Sequence, residues 1–360
     1  MRDKVLVVGM DGLRFDRLLA VEPPELTRLM SSGAYGTSLL PYGEATAPRT
    51  ESPGEIVLED TEPRGSVPED SAAPAGLASS GTAASPDGDA FPAGGASSGA
   101  AAFVAEPVPH GVGARGELAP ASAVRTVRSR TDSGPGWSSI ATGVWPDKHG
   151  VVDNAFTRQQ FAKYPDFLTR AKAARPDLDT AAFFSWAALA EHGAFGPAID
   201  TRFVVDGYAI DWPIADKQVA EAAERHLARA AADLTFVYLG ETDEVAHDLG
   251  PHCPEYTEAL RTQDAYLGRL LDAIRGRRTF ADERWTVLIT TDHGHVDDGG
   301  HGGTSVEERT VFVIAAALGA DLGGADLGGP RLVDVGPTAL ALLGIEPDPA
   351  WGLDGVPLEV

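Results

Sequence analysis

The sequence is short of cysteine, of basic residues and of long apolar runs, and each shortage narrows what the chain can be. Cys253 is the single cysteine among 360 residues. No internal disulfide can form, and no oxidising compartment is required. Lys and Arg number 29 against 53 Asp and Glu, a formal charge of -24. A field of that sign repels nucleic-acid backbones and anionic membranes, which argues against a polynucleotide polymer or a membrane as partner. It leaves room for a phosphate substrate where bound metal ions invert the sign locally. No apolar run approaches membrane-spanning length. The start, Met1-Arg2-Asp3-Lys4 followed only by Val5-Leu6-Val7-Val8, lacks a signal-peptide pattern, so we expect a cytoplasmic protein.

Hydrophobic residues make up 43% and charged residues 23%, the balance of a globular chain. Val5 to Val8 reads as a strand buried on both faces. Further strands are expected at Thr180–Phe184, Arg202–Val205, Leu234–Leu239, Trp285–Ile289 and Thr310–Ala315. Between them come helical stretches at Pro24–Met30, Asp166–Ala174, Ile214–Ala232, Glu258–Arg275 and Val335–Leu343. This alternation predicts an α/β fold, a mainly parallel central sheet sandwiched by helices. One stretch breaks the pattern. From Glu51 to Pro120, 43 of 70 residues are Ala, Gly, Ser or Pro, with 11 acidic residues and only Arg64 and Arg115 basic. We read 51–120 as an acidic, disordered insertion, because it cannot bury enough apolar surface to offset its ordering entropy. A mobile lid is the alternative. The remainder of 1–360 is ample for a single catalytic α/β domain.

The densest chemistry lies in Thr290–Gly303, T-T-D-H-G-H-V-D-D-G-G-H-G-G, right after the expected strand Trp285–Ile289. Carboxylate and imidazole are ligands that Zn²⁺ and its neighbours prefer. Adjacent Asp292 and His293 could meet one ion if the backbone turns, which Gly294 permits, and His301 could return to a second ion. A polar loop after a buried strand is the competing reading. Asp11, in Gly9-Met10-Asp11-Gly12, stands at the carboxyl end of the first strand, where open α/β sheets place ligands; by itself an Asp-Gly pair is also an ordinary turn. Asp243 and His247 follow the strand Leu234–Leu239 four residues apart, one face of a helical turn, and could equally cap a short helix. Ser133 opens S-G-P-G-W-S-S-I-A-T-G. Locally it reads as an N-cap, though a helix N-terminus also suits an anion and a nucleophile held against it. The continuation Val144–Asn154 reads as a structured loop in which His149 packs or hydrogen-bonds.

Taken together, V-V-G-M-D-G, the Ser133 segment running on to W-P-D-K-H-G-V-V-D-N, E-T-D-E-V-A-H, T-D-H-G-H with H-G-G, and the closing D-V-G-P-T-A-L-A-L-L-G-I resemble the alkaline phosphatase superfamily. The resemblance is to its nucleotide pyrophosphatase/phosphodiesterase-like branch, and it spans nearly all of the chain outside 51–120. It implies a hydrolase of phosphodiester or nucleotide pyrophosphate bonds with two Zn²⁺ ions, Mn²⁺ or Mg²⁺ being alternatives. Asp243, His247 and His301 would bind one ion, and Asp11, Asp292 and His293 the other. Ser133 would be the nucleophile, and Asn154 would hold a phosphoryl oxygen. The implied partner is a small-molecule phosphoester, nucleotides among the candidates; the oligomeric state is left open. A sulfatase would carry x-Pro-x-Arg after its nucleophile, whereas Trp137 stands here. The branch also has Phe-Pro-Asn-His at that place, so Gly134-Pro135-Gly136-Trp137 is a departure that bears on pocket shape and substrate. A phosphomonoesterase or phosphonate hydrolase on the same site is the enzyme alternative, and a non-catalytic metal-binding protein the alternative of another class.

Overall fold

A computed structural model describes residues 1–45, 125–229 and 231–360. The stretch 51–120, read above as an acidic insertion, lies outside the described residues. Ten strands are described: β1 Arg2–Met10, β2 Ala34–Leu39, β3 Tyr42–Ala45, β4 Thr126–Arg128, β5 Asp179–Phe184, β6 Thr201–Val204, β7 Ala232–Leu239, β8 Glu283–Thr290, β9 Thr310–Ala317 and β10 Ala325–Asp326. Eight form one sheet in the order β10-β2-β9-β8-β1-β7-β5-β6, and β3 and β4 pair separately. Strand β9 runs antiparallel to both β2 and β8, while the other neighbours in the large sheet are parallel. The expected mainly parallel α/β sheet is what is found.

The two faces are read directly from β1. Val5 and Val7 join one buried cluster, with Trp137, Ile140, Phe167 and Leu340 from helices Ser133–Thr142, Phe167–Ala174 and Val335–Leu342. Leu6, Val8 and Met10 join the other, with Leu26, Val219, Leu260 and Leu267 from helices Pro24–Ser32, Trp212–Leu227 and Pro254–Arg275. Alternate residues of a strand point to opposite faces, so a continuous apolar run signals burial on both. Each fully buried aliphatic side chain contributes about 1.5–3 kcal/mol relative to exposure.

Some boundaries differ from the sequence reading. The helix expected to reach Ala232 ends at Leu227, and Ala232 opens β7. An Ala-rich run carries no stop signal of its own, and β7 takes its first residue by pairing with β5 through Asp179. The segment Val144–Asn154, expected as loop, contains a short helix, Pro146–His149, with Pro at its first turn and Gly150 at φ 79° closing it.

Candidate metal centre

The site begins with strand register. Gly9 of β1 lies level with Thr290 of β8, and two residues beyond stand Asp11 and Asp292. Parallel neighbours in register bring these two carboxylates together at the carboxyl edge of the sheet, where side chains two apart share a face. Gly294 is required for a reason other than the turn expected of it. Its φ is not left-handed; a Cβ there would sit 2.1 Å from the Glu307 carbonyl oxygen, so the loop can pass only without a side chain.

Asp11, Asp292 and His293 form one cluster. His293 Nε2 lies 3.4 Å from Asp11 Oδ1, 3.3 Å from Asp292 Oδ2 and 3.2 Å from Ser133 Oγ. Asp11 Oδ1 and Asp292 Oδ2 are buried with no hydrogen-bond partner. Tetrahedral ligation with bonds of about 2.0–2.1 Å separates ligand atoms by roughly 3.3 Å, the spacing seen here. Burial, then the charge of Asp243, pushes the Asp11 carboxyl up to about 7. Burial and Asp11 raise Asp292 well above the carboxylate range. Burial and the neighbouring His301 hold His293 well below an ordinary histidine, hence neutral. Two buried acids that resist ionisation side by side, facing a neutral imidazole, are a donor set that a cation would complete.

A second cluster lies alongside. Asp243 and His247 sit one turn apart on the helix Glu241–Leu249, with Asp243 Oδ2 at 3.3 Å from His247 Nε2. His301 Nε2 is 2.9 Å from His247 Nε2 and 3.6 Å from Asp243 Oδ1. Burial alone would raise Asp243, but hydrogen bonds from His247 and His295 hold it well below its usual range. The Asp243 contact lifts His247 to about 9, and burial lowers His301 to about 4. The structure thus brings all six expected ligands to one place.

His295, unassigned from the sequence, is a fourth imidazole here. It is fully buried, with Nε2 at 2.8 Å from Asp243 Oδ1. The ring's other nitrogen separates it from the expected ligands. His293 Nδ1 lies 3.1 Å from the Gly294 carbonyl oxygen and His301 Nδ1 2.6 Å from that of Thr131, so Nδ1–H donates in each and Nε2 keeps a free lone pair for the site. His295 Nδ1 has no partner, which suits the tautomer whose Nε2–H donates to Asp243. The signal was present in the sequence, since His293 and His295 are two apart.

Ser133 opens the helix Ser133–Thr142, but the N-cap position belongs to Asp132 and no side-chain cap bond forms. Asp132 has the extended backbone of a cap, and its carboxylate turns to Arg130 Nε at 2.9 Å. Ser133 Oγ is left buried at 3.2 Å from His293. Asn154 Oδ1 accepts the Gly134 N–H at 2.7 Å, tying the Asn154 amide to the residue after Ser133. His149 is a buried brace, as read: its Nδ1 accepts from the Val151 N–H and its Nε2 lies 3.1 Å from Ser139 Oγ.

A family model described as type I phosphodiesterase / nucleotide pyrophosphatase matches residues 129–299, which hold Ser133, Asn154, Asp243, His247, Asp292 and His293. Human ectonucleotide pyrophosphatase/phosphodiesterase family member 7 is 39% identical over 62 residues, 17% of this chain and 13% of that protein. An uncharacterized pyrophosphatase/phosphodiesterase of Schizosaccharomyces pombe is 24% identical over 177 residues, 44% of this chain and 35% of the relative. The matched stretches therefore span well under half of these relatives' own lengths. Murine ectonucleotide pyrophosphatase / phosphodiesterase 5, solved as an inactive form in complex with AMP, shares the fold with a TM-score of 0.56 at 13% identity, over 96% of each chain. Over residues 129–299 the chain is thus similar to the type I phosphodiesterase / nucleotide pyrophosphatase family, and the ordered motifs and the shared fold agree with the nucleotide pyrophosphatase/phosphodiesterase-like branch of the alkaline phosphatase superfamily.

Proposed function

We propose that the protein hydrolyses phosphodiester or nucleotide pyrophosphate bonds through a phosphoserine intermediate on Ser133. One observation carries the reading: Ser133 Oγ and two partnerless buried carboxylate oxygens surround His293 Nε2 at 3.2–3.4 Å. Asp11, Asp292 and His293 would hold one divalent ion, and Asp243, His247 and His301 the other. The mixed nitrogen and oxygen donors favour Zn²⁺, with Mn²⁺ or Mg²⁺ as alternatives. Such ions lower the pKa of a bound hydroxyl and neutralise phosphoryl oxygens.

Ser133 Oγ loses its proton and attacks phosphorus; the new O–P bond forms as the bond to the leaving oxygen breaks. The leaving oxygen departs with the proton, water then attacks the phosphorus of the serine ester, the phosphomonoester departs, and the serine hydroxyl is restored. The N–H groups at the start of the Ser133–Thr142 helix favour an anion at that place. Because Asn154 Oδ1 is occupied by Gly134, its amide N–H groups are turned out as donors for a developing phosphoryl oxygen. Arg130 is engaged by Asp132, which supports diesters over the more highly charged monoesters. The exposed Tyr208 ring, edge-on to Trp212 at 5.0 Å, offers a face to an aromatic leaving group. Trp212 in turn packs against Gly240, at the start of the Asp243 helix.

Hydrolysis of bis-p-nitrophenyl phosphate against p-nitrophenyl phosphate, on zinc-loaded and chelated protein, tests the proposal. Faster, chelator-sensitive diester cleavage is expected. Preference for the monoester would move the reading to a phosphatase on the same residues. A cytoplasmic location is part of the same proposal, supported by the single cysteine, and cell fractionation checks it.

A further inference from the structure

The residues after Ser133, where this chain departs from the branch's Phe-Pro-Asn-His, are buried. Trp137 is fully buried, with its ring edge-on to Tyr238 at 5.1 Å. Its indole Nε1–H donates to Asp11 Oδ2 at 2.9 Å, and the Tyr238 hydroxyl donates to the same oxygen. A carboxylate oxygen has about two lone pairs, so these two donors fill Oδ2 and leave Oδ1 as the open coordinating atom. That oxygen is the partnerless one facing His293.

The seat for this arrangement is built into β1 and β7. Gly9 is level with Tyr238, and a Cβ on Gly9 would lie 2.2 Å from the Trp137 ring. Only a glycine at that strand position lets the indole lie across it and reach the carboxylate two residues on. Trp137 is also one turn after Ser133 on the same helix, so the element that carries the nucleophile also grips Asp11.

We infer that Trp137 and Tyr238 are a paired set of positioning residues for Asp11, fixing it as a one-oxygen ligand and coupling it to the placement of Ser133. The inference rests on the reading of Asp11 as a metal ligand. Neutral donors of this kind orient a ligand and temper its charge, and their loss typically weakens metal affinity about 10–100-fold.

The test is Zn²⁺ affinity, resolved by site through chelator competition, on the full chain and on Asp11→Asn, Trp137→Phe and Tyr238→Phe. Asp11→Asn should lose one equivalent of zinc. Trp137→Phe and Tyr238→Phe should each weaken that same equivalent about 10–100-fold and leave the other unchanged, with the unfolding temperature of the metal-free protein held by Tyr238→Phe. In the unmutated chain the indole N–H resonance of Trp137 should move on adding zinc, in step with the Asp11-dependent equivalent. If Asp11→Asn loses an ion while both other variants bind it at full affinity, the inference falls and the ligand assignment stands. If Asp11→Asn keeps both ions, the assignment fails and takes the inference with it. Should Trp137→Phe not fold, Tyr238→Phe decides, since it removes one oxygen and keeps the ring.

Discussion

The two ends of the central sheet bury charge in opposite ways. At the amino end, Lys4 is 1% exposed and its ammonium donates to Asp233 Oδ1 at 2.7 Å and to the Ala232 carbonyl at 2.6 Å. Arg277 grips Glu283 through both oxygens at 2.7 and 2.8 Å, and Trp285 donates to the same carboxylate. Burial would raise Glu283, but Arg277 outweighs it and holds the group at about 2. At the carboxyl end, Asp11, Asp243 and Asp292 are buried too, and the groups facing them are histidines, of which His293 is held neutral. One end is neutralised by the chain itself. The other is left open to a cation from outside, the pattern expected when folding stability is given up for binding.

Substitutions at the two ends should therefore differ in sign. The largest effect is expected from Ser133→Ala, which should lower turnover on the order of 10³-fold or more while both metals stay bound. Steady-state rates beside metal analysis check this, and retained activity at unchanged metal load would sink the nucleophile assignment. Next comes Lys4→Met, which strands the charge of Asp233 and should destabilise the fold by about 3–5 kcal/mol in denaturant titrations. His149 sharpens the comparison with a pH dependence of its own. Burial lowers it from 6.5 to about 3, so below pH 6.5 the unfolded chain takes up a proton that the folded one refuses. Stability should fall by about 1.4 kcal/mol per pH unit from 6.5 toward 3. His149→Gln should remove that component, seen as a difference in slope between the two proteins. The smallest effect is Asp292→Asn. Burial and the neighbouring Asp11 raise its pKa in the fold, so ionisation opposes folding near neutral pH, and the neutral amide should stabilise the metal-free protein slightly while losing one ion. A loss of metal-free stability like that of Lys4→Met would break the contrast between the two ends.

Much of this was legible in the sequence because the informative contacts are local or periodic. Val5–Val8 and Leu234–Leu239 announce doubly buried strands, and Asp11 and Asp243 follow them directly. The mainly parallel sheet follows from the alternation of elements. What stayed hidden depends on residues far apart in the chain. The burial of Lys4 was not legible because its partner, Asp233, is 229 residues away. The role of Trp137 stayed hidden because its partner, Asp11, lies 126 residues back. Ser133 read as a cap because the helix boundary is set one residue earlier, where Asp132 adopts the extended backbone. His295 could not be told from His293 by type or spacing; only the missing partner at Nδ1 separates them.

Asp11 and Asp292 stand just past the ends of two hydrogen-bonded parallel strands. Their separation is thus a property of the sheet, whose strands repeat every ~4.8 Å. The sheet acts as a ruler that loops cannot stretch. Chain can be added or removed between strands without rescaling the distance between the two acids, provided β8 and β1 remain neighbours. A surface residue outside the ligand set, such as Tyr208, is then free to be exchanged for new substrates, while the dimension of the charged core is inherited unchanged.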